Sequence, residues 1–127
     1  MIENLSKETI ETMLNALPVE ISFVDHTDTL RYFNKNGDRI FPRPRSAIGR
    51  KVQNCHPQKS LHKVNQILEG FKAGTLDQAR FWIDLRGRKV YIRYFPVRDE
   101  RGRYIGALEA TEDITDIKTI EGEKRLL

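Results

Sequence analysis

The segment that most constrains this chain runs from Ala79 to Thr115. Three runs rich in Val, Ile, Phe, Tyr and Trp are separated there by two turn signals, Arg86-Gly87-Arg88 and Asp99-Glu100-Arg101-Gly102. Centres of successive runs lie about ten to fifteen residues apart, too close to hold the helical crossover that parallel strands need. The pattern therefore predicts an antiparallel three-strand meander. Three strands with apolar residues on both faces are not stable alone in water, so the rest of the chain is read as what covers them.

At 127 residues the chain suits one domain with one core. Its 39% hydrophobic and 31% charged residues are globular proportions, and no apolar run approaches the roughly 20 residues that span a bilayer. The N-terminus, MIENLSKET, has no basic segment followed by an apolar one, so a cytoplasmic protein is expected and no membrane partner. Cys55 is the single cysteine, which excludes an internal disulfide and any multi-cysteine metal site. The net charge of +4 is unevenly spread. From Arg39 to Leu68 there is no Asp or Glu, while Arg39, Arg43, Arg45, Arg50, Lys51, Lys59, Lys63, His56 and His62 all fall in that stretch. Such a basic stretch beside Phe41 could hold nucleic acid, which would show as salt-sensitive retention on an oligonucleotide, but nucleic acid is not the expected partner.

Ser6 is suited to cap a helix in which Ile10, Met13, Leu14 and Leu17 recur at helical spacing until Pro18, with Leu5 placed to pack on Ile10. This helix either pads the sheet or meets a partner. Val19 to Asp25 and Thr29 to Phe33 read as a hairpin across His26-Thr27-Asp28. Asn34 to Phe41 has room for a short helical turn, Pro42 and Pro44 forbid a long one, and Ser46 to Val52 is another short helix or turn interrupted at Gly49. Leu61, Val64, Ile67, Leu68 and Phe71 share one face of a longer helix, with Ser60 as its expected cap and Gly74 just past its end. Beyond the meander, Ile114, Ile117 and Ile120 recur every third residue, which predicts a helix too short for a coiled coil. The expected class is α+β, with helices on one face of an antiparallel sheet.

Taken together, VDHTDTLRYFN with Asp25 and Asn34, Ile48-Gly49-Arg50-Lys51, the helix from Ser60, and the closing Asp113-Ile114-Thr115 resemble a PAS domain over roughly Val19 to Thr115. More narrowly, GRKVQNCHPQKSLHKVNQILEGFKAG and VYIRYFPVRDERGRYIGALEATEDIT are similar to the PAS-type segment at the C-terminal end of DUF438 proteins, which often follows a hemerythrin-like domain. The resemblance implies a five-stranded antiparallel sheet of order 2-1-5-4-3 whose helical side encloses a ligand cavity, and sensing in place of turnover. It divides the chain into a flanking helix (1–18), a sensor domain (19–115) and an output helix (116–127). It also implies Asp113, Ile114 and Thr115 as the output junction, and a homodimer paired through flanking helices. A signalling domain or a hemerythrin-like domain is the implied further partner.

Within that frame the wall residues Leu61, Val64 and Leu68 face sheet aromatics Phe81, Trp82, Tyr94 and Phe95, with Arg50, Lys51, His56 and His62 near the mouth and Cys55 on or near the wall. An apolar cavity with polar groups at one end suits a hydrophobic anion such as a fatty acid. Haem is the alternative, with His56, His62 or Cys55 as axial ligand, and a filled core serving only dimerisation is the third reading. Cys55 and His56 lack a third orienting group, and adjacent side chains rarely face each other, so no catalytic pair is expected. Flavin is disfavoured because Gly87 to Thr111 contains no Asn or Gln.

Overall fold

The computed structural model describes residues 1–126. Helix α1 (Lys7–Ala16) is followed by strands β1 (Glu20–Asp25) and β2 (Leu30–Phe33), then helix α2 (Gln58–Ala73) and the meander β3 (Ala79–Leu85), β4 (Arg88–Arg98) and β5 (Tyr104–Asp113). The five strands form one sheet of order β2-β1-β5-β4-β3, antiparallel throughout, as the resemblance implies. Helix α2 lies across β4 and β5, and single 3-10 turns at Arg45–Ala47 and Val52–Asn54 complete the covered side.

Local chemistry explains the turns. In the first hairpin the Asp25 carboxylate accepts from Thr27 N (2.8 Å), Thr27 Oγ1 (2.6 Å) and Thr29 N (3.2 Å), while Asp28 adopts a positive φ. Gly74 ends α2 in the left-handed conformation with its amide donating to the Phe71 carbonyl at 3.2 Å, and the Arg98 guanidinium donates to the same carbonyl at 2.6 Å, tying the helix end to β4. At Gly106 strand β5 passes close against β1. A side chain there would meet the Val24 carbonyl oxygen at 2.2 Å and the Phe23 ring at 2.6 Å, so only glycine fits. The core gathers Val24, Leu30, Phe33, Val64, Leu68, Phe71 and Ala107 between the sheet and α2.

Several local expectations are revised. Ser60 does not cap α2: the helix starts at Gln58 after Pro57, and the Ser60 hydroxyl donates back to the Pro57 carbonyl at 3.2 Å. Proline fixes φ at the helix boundary and needs no amide partner there. No helical turn forms at Asn34 to Phe41, where Lys35 and Gly37 take positive φ. Instead Asn34, 1% exposed, joins three segments: its Oδ1 accepts from Ile21 N (2.6 Å), and its Nδ2 donates to the carbonyls of Leu14 (2.7 Å) and Val19 (3.1 Å). That side chain ties the end of α1 to the sheet. Ser6 caps α1 through Thr9 N as expected, yet no α1 residue is buried, so the helix does not pad the sheet.

The expected helix over 116–127 is replaced, among the described residues, by a single 3-10 turn at Ile117–Thr119. Ile117 and Ile120 are exposed and Gly122 has φ 64, so nothing rewards continuing a helix that short. Leu127, the last residue of that expected helix, lies outside the described residues.

Candidate functional site

Strand geometry decides which aromatics share a face. Adjacent residues on a strand point to opposite sides, so Phe81 and Trp82 cannot both face α2, nor can Tyr94 and Phe95. Phe81, Ile92 and Tyr94 point to the covered side, with the Phe81 and Tyr94 rings stacked at 5.9 Å. Trp82 and Phe95 lie on the opposite face, where Trp82 meets Tyr91 at 6.5 Å and the Arg93 guanidinium lies 5.8 Å from the Phe95 ring centre. Their expected place on the ligand side is thereby corrected.

Between this covered side and the segment 41–67 lies a cavity of about 810 Å³. That is within the range of small-molecule sites. The strap Phe41-Pro42-Arg43-Pro44 forms one wall and Ala47, Arg50, Asn54, Cys55, His56 and Pro57 another. Ser60, Lys63, Val64 and Ile67 of α2 close the third side, opposite Phe81, Ile92, Tyr94 and Glu109 of the sheet. Of the residues expected from sequence, Arg50, Cys55, His56, Val64, Phe81 and Tyr94 meet here. Leu68 lines a small void of about 20 Å³ adjoining it, together with Val64, Arg43 and Glu109. Leu61 and His62 do not reach the cavity. His62, two residues before Val64, is turned to the exposed side of α2.

The strap is held at its base by a buried ion pair. Arg39 and Glu20 approach to 3.2 Å with side chains 1% and 3% exposed. The Glu20 carboxylate also accepts from the amides of Ile40 (2.5 Å) and Phe41 (3.2 Å), and Arg39 donates to the carbonyls of Asn34 (2.9 Å), Phe41 (3.1 Å) and Ile21 (3.2 Å). Four residues on, Arg43 reaches the inner part of the cavity and pairs with Glu109 at 3.7 Å.

Sequence reasoning missed both members of that inner pair. Glu109 was legible, because Ala107, Glu109 and Thr111 alternate on one face of β5, the face that carries buried Ala107 and Thr111. Burial and the adjacent Glu109 carboxylate push the Tyr94 phenol well above its ordinary value, so it stays protonated. Burial lowers the His56 imidazole, with Arg43 acting in the same sense and Glu109 against it, which favours the neutral ring. The His56 Nε2 and Arg43 Nε atoms are both enclosed without a hydrogen-bond partner.

At the sheet's exit, Asp113, Ile114 and Thr115 form a hydrogen-bonded knot on the start of β4. The Asp113 carboxylate accepts from Thr115 N (2.9 Å) and Thr115 Oγ1 (2.6 Å), and from Arg88 at 2.6 Å. Lys89 N donates to Thr115 Oγ1 at 2.8 Å, and Ile114 N donates to the Lys89 carbonyl at 2.8 Å. The Arg88 guanidinium and the Thr115 donors lower Asp113 to about 2.

A five-stranded antiparallel sheet of this order, with a cavity under its helical side, defines an α+β domain with the PAS-like topology. The sequence model of the PAS domain matches residues 10–115, and the chain belongs to that family. PAS domains are sensory modules of signal transduction, found among other places in histidine kinases. The chain is similar to a C-terminal domain from Streptococcus mutans (36% identity, TM-score 0.85), covering 92% of this chain and 91% of that one. The fold is also shared with the PAS domain of BvgS from Bordetella pertussis (18% identity, TM-score 0.60, 85% of each chain). A sensory box sensor histidine kinase from Vibrio cholerae has the same fold (12% identity, TM-score 0.60), over 84% of this chain and 89% of that one. No curated protein matches the chain. No helix among the described residues is long and apolar enough to cross a membrane.

Proposed function

We propose that this chain is a non-enzymatic cytoplasmic PAS sensor whose cavity takes a small hydrophobic molecule with an anionic end, such as a fatty acid. The observation that carries this reading is the cavity of about 810 Å³, walled by Phe81, Ile92, Val64 and Ile67, with Arg50 and Lys63 at its exposed rim. Apolar walls favour the chain by removing it from water, and the rim cations favour a carboxylate there. A bound molecule would touch Tyr94 and Glu109, cross-strand partners on β4 and β5. Those two strands run to the knot at Asp113, Ile114 and Thr115, so occupancy would bias how the flanks dock.

The flanking α1, with Met13 54% exposed and no residue buried, supports pairing into a homodimer through that helix. Sedimentation at high micromolar concentration should show a dimer, and a monomer there removes the pairing. The Streptococcus mutans relative is a C-terminal domain. That agrees with the narrower DUF438 resemblance and with a signalling or hemerythrin-like partner domain upstream.

Native mass spectrometry and organic extraction of the purified chain test the ligand. At a hundredfold excess over Kd, dodecanoic acid should raise Tm by about 10 °C. Replacing both Arg50 and Lys63 by alanine should remove most of that shift. Recovery of no small molecule together with no Tm response to the acid overturns the reading.

Haem is a second reading, favoured by one observation: His56 lines the cavity, and its Nε2 has no hydrogen-bond partner. A neutral imidazole nitrogen is the axial donor that haem iron requires, and the iron would supply redox or gas chemistry when bound. His62, outside the cavity, is no longer a candidate. Haem addition should then give a Soret band that His56→Ala abolishes and His62→Ala leaves intact. A band indifferent to His56→Ala removes haem from this site.

A further inference from the structure

The two edges of the sheet differ. At β2 the chain itself closes the edge: Leu30 N donates to the Arg50 carbonyl at 2.9 Å, and Gly49 N donates to the Leu30 carbonyl at 2.8 Å. At β3 no such cover exists among the described residues, because no backbone bond from outside the sheet reaches residues 79–85. The strand is seven residues long and pairs with β4 in unbroken register. It has neither the bulge nor the proline that commonly blunts an exposed edge.

The turn after β3 fixes which backbone groups are open. Arg86 and Gly87 both take positive φ, the signature of a type I′ hairpin, which makes Leu85 and Arg88 a hydrogen-bonded pair. Bonded and unbonded pairs alternate along an antiparallel ladder, so Ala79, Phe81 and Ile83 also bond to β4. The amides and carbonyls of Arg80, Trp82 and Asp84 therefore point out from the edge. Their side chains share the face away from α2, where Trp82 is 61% exposed. Arg80 makes no ion pair among the described residues and stands opposite Arg93, which already holds Glu112 at 3.0 Å. Asp84 meets Lys89 at 2.5 Å yet keeps its side chain 79% exposed.

An antiparallel copy of the same strand satisfies these groups in one register. With a two-fold axis at Trp82, Arg80 meets Asp84 of the second copy, Asp84 meets its Arg80, and the outward amides and carbonyls pair across the axis. Phe81 then lies beside Ile83 of the second copy, and Trp82 beside its own counterpart. Sliding the copies by two residues sets Arg80 against Trp82 in one sense and against Arg86 in the other, which loses the charge match.

We propose that the β3 edge is an interface with a second copy of this chain, joined antiparallel about Trp82 into one continuous sheet. It is separate from pairing through α1, whose end is tied beside β2 at the opposite edge. Phe81 is also a wall of the cavity, so the interface and the cavity share a side chain.

Sedimentation of the full chain with exchanged charges tests the register. Arg80→Asp places carboxylates opposite one another at both ends of the paired strands, and Asp84→Arg does the same with guanidinium groups. Each should weaken the pairing at least about tenfold. An equimolar mixture of the two variants should associate as the unmodified chain does, because each supplies the charges the other lacks, and the double variant should do so alone. If α1 pairs as well, unmodified chains assemble beyond a dimer and each single variant stops at one. Self-association unchanged in both single variants overturns this inference, and its loss on Met13→Glu then assigns the pairing to α1. Weakening without recovery in the mixture overturns the register about Trp82. A monomeric unmodified chain at high micromolar concentration overturns both interfaces.

Discussion

Arg39→Ala lowers the unfolding free energy by about 3–5 kcal/mol, seen as a reduced urea midpoint at unchanged slope. The magnitude follows from what is left behind. Arg39 and Glu20 are almost wholly enclosed, at 1% and 3% exposure, and no other cation stands within ion-pairing reach of Glu20 among the described residues. Truncating the guanidinium leaves a carboxylate buried without its counter-charge and removes the hydrogen bonds to the carbonyls of Asn34, Phe41 and Ile21, of which Ile21 keeps the Asn34 amide as a donor. The pair need not stabilise the fold relative to an apolar pair of similar volume; the cost lies in breaking half of it. A loss below about 1 kcal/mol would mean that water reaches the carboxylate and that the strap is not anchored as described.

Phe71→Ala should cost a similar ~3–5 kcal/mol by thermal or urea unfolding. Phe71 is 0% exposed and is the largest fully buried side chain. It sits at the end of α2, where its own carbonyl is held by Arg98, so backbone collapse into the vacated volume is opposed by a bond to β4. Phe71→Leu, which retains most of the volume, should recover the greater part of the loss. Equal effects of the two replacements would show that the site relaxes freely and that the helix end is not pinned.

Much of this was readable before any coordinates. Val90, Ile92 and Tyr94 alternate as a half-buried strand must, and Val64, Leu68 and Phe71 recur as one helix face must, so the meander, α2 and the sheet order follow from pattern and family likeness. The candidate site was readable only in part. Adjacent pairs such as Phe81-Trp82 were assigned to one face although the two-residue period of a strand divides them. Arg43 and Glu109 escaped because their significance is mutual: one lies on a proline-bounded strap and the other on the last strand, 66 residues later, and the alternation that puts Glu109 on the covered face does not name its partner. The C-terminal helix was over-read, since a three-residue repeat of isoleucine among charges specifies a helix only where a partner surface receives it.

The knot at the end of the sheet has a consequence for what kind of displacement the flanks can register. Asp113, Ile114 and Thr115 leave β5, but their bonds land on Arg88 and Lys89 at the start of β4. A displacement that carries both strands together leaves every one of those bonds unchanged, however large it is. Sliding one strand past the other by a fraction of a residue strains them all at once. In the sensor proposed above, such a junction would act as a comparator of two neighbouring strands, blind to what they do in common and responsive only to their difference.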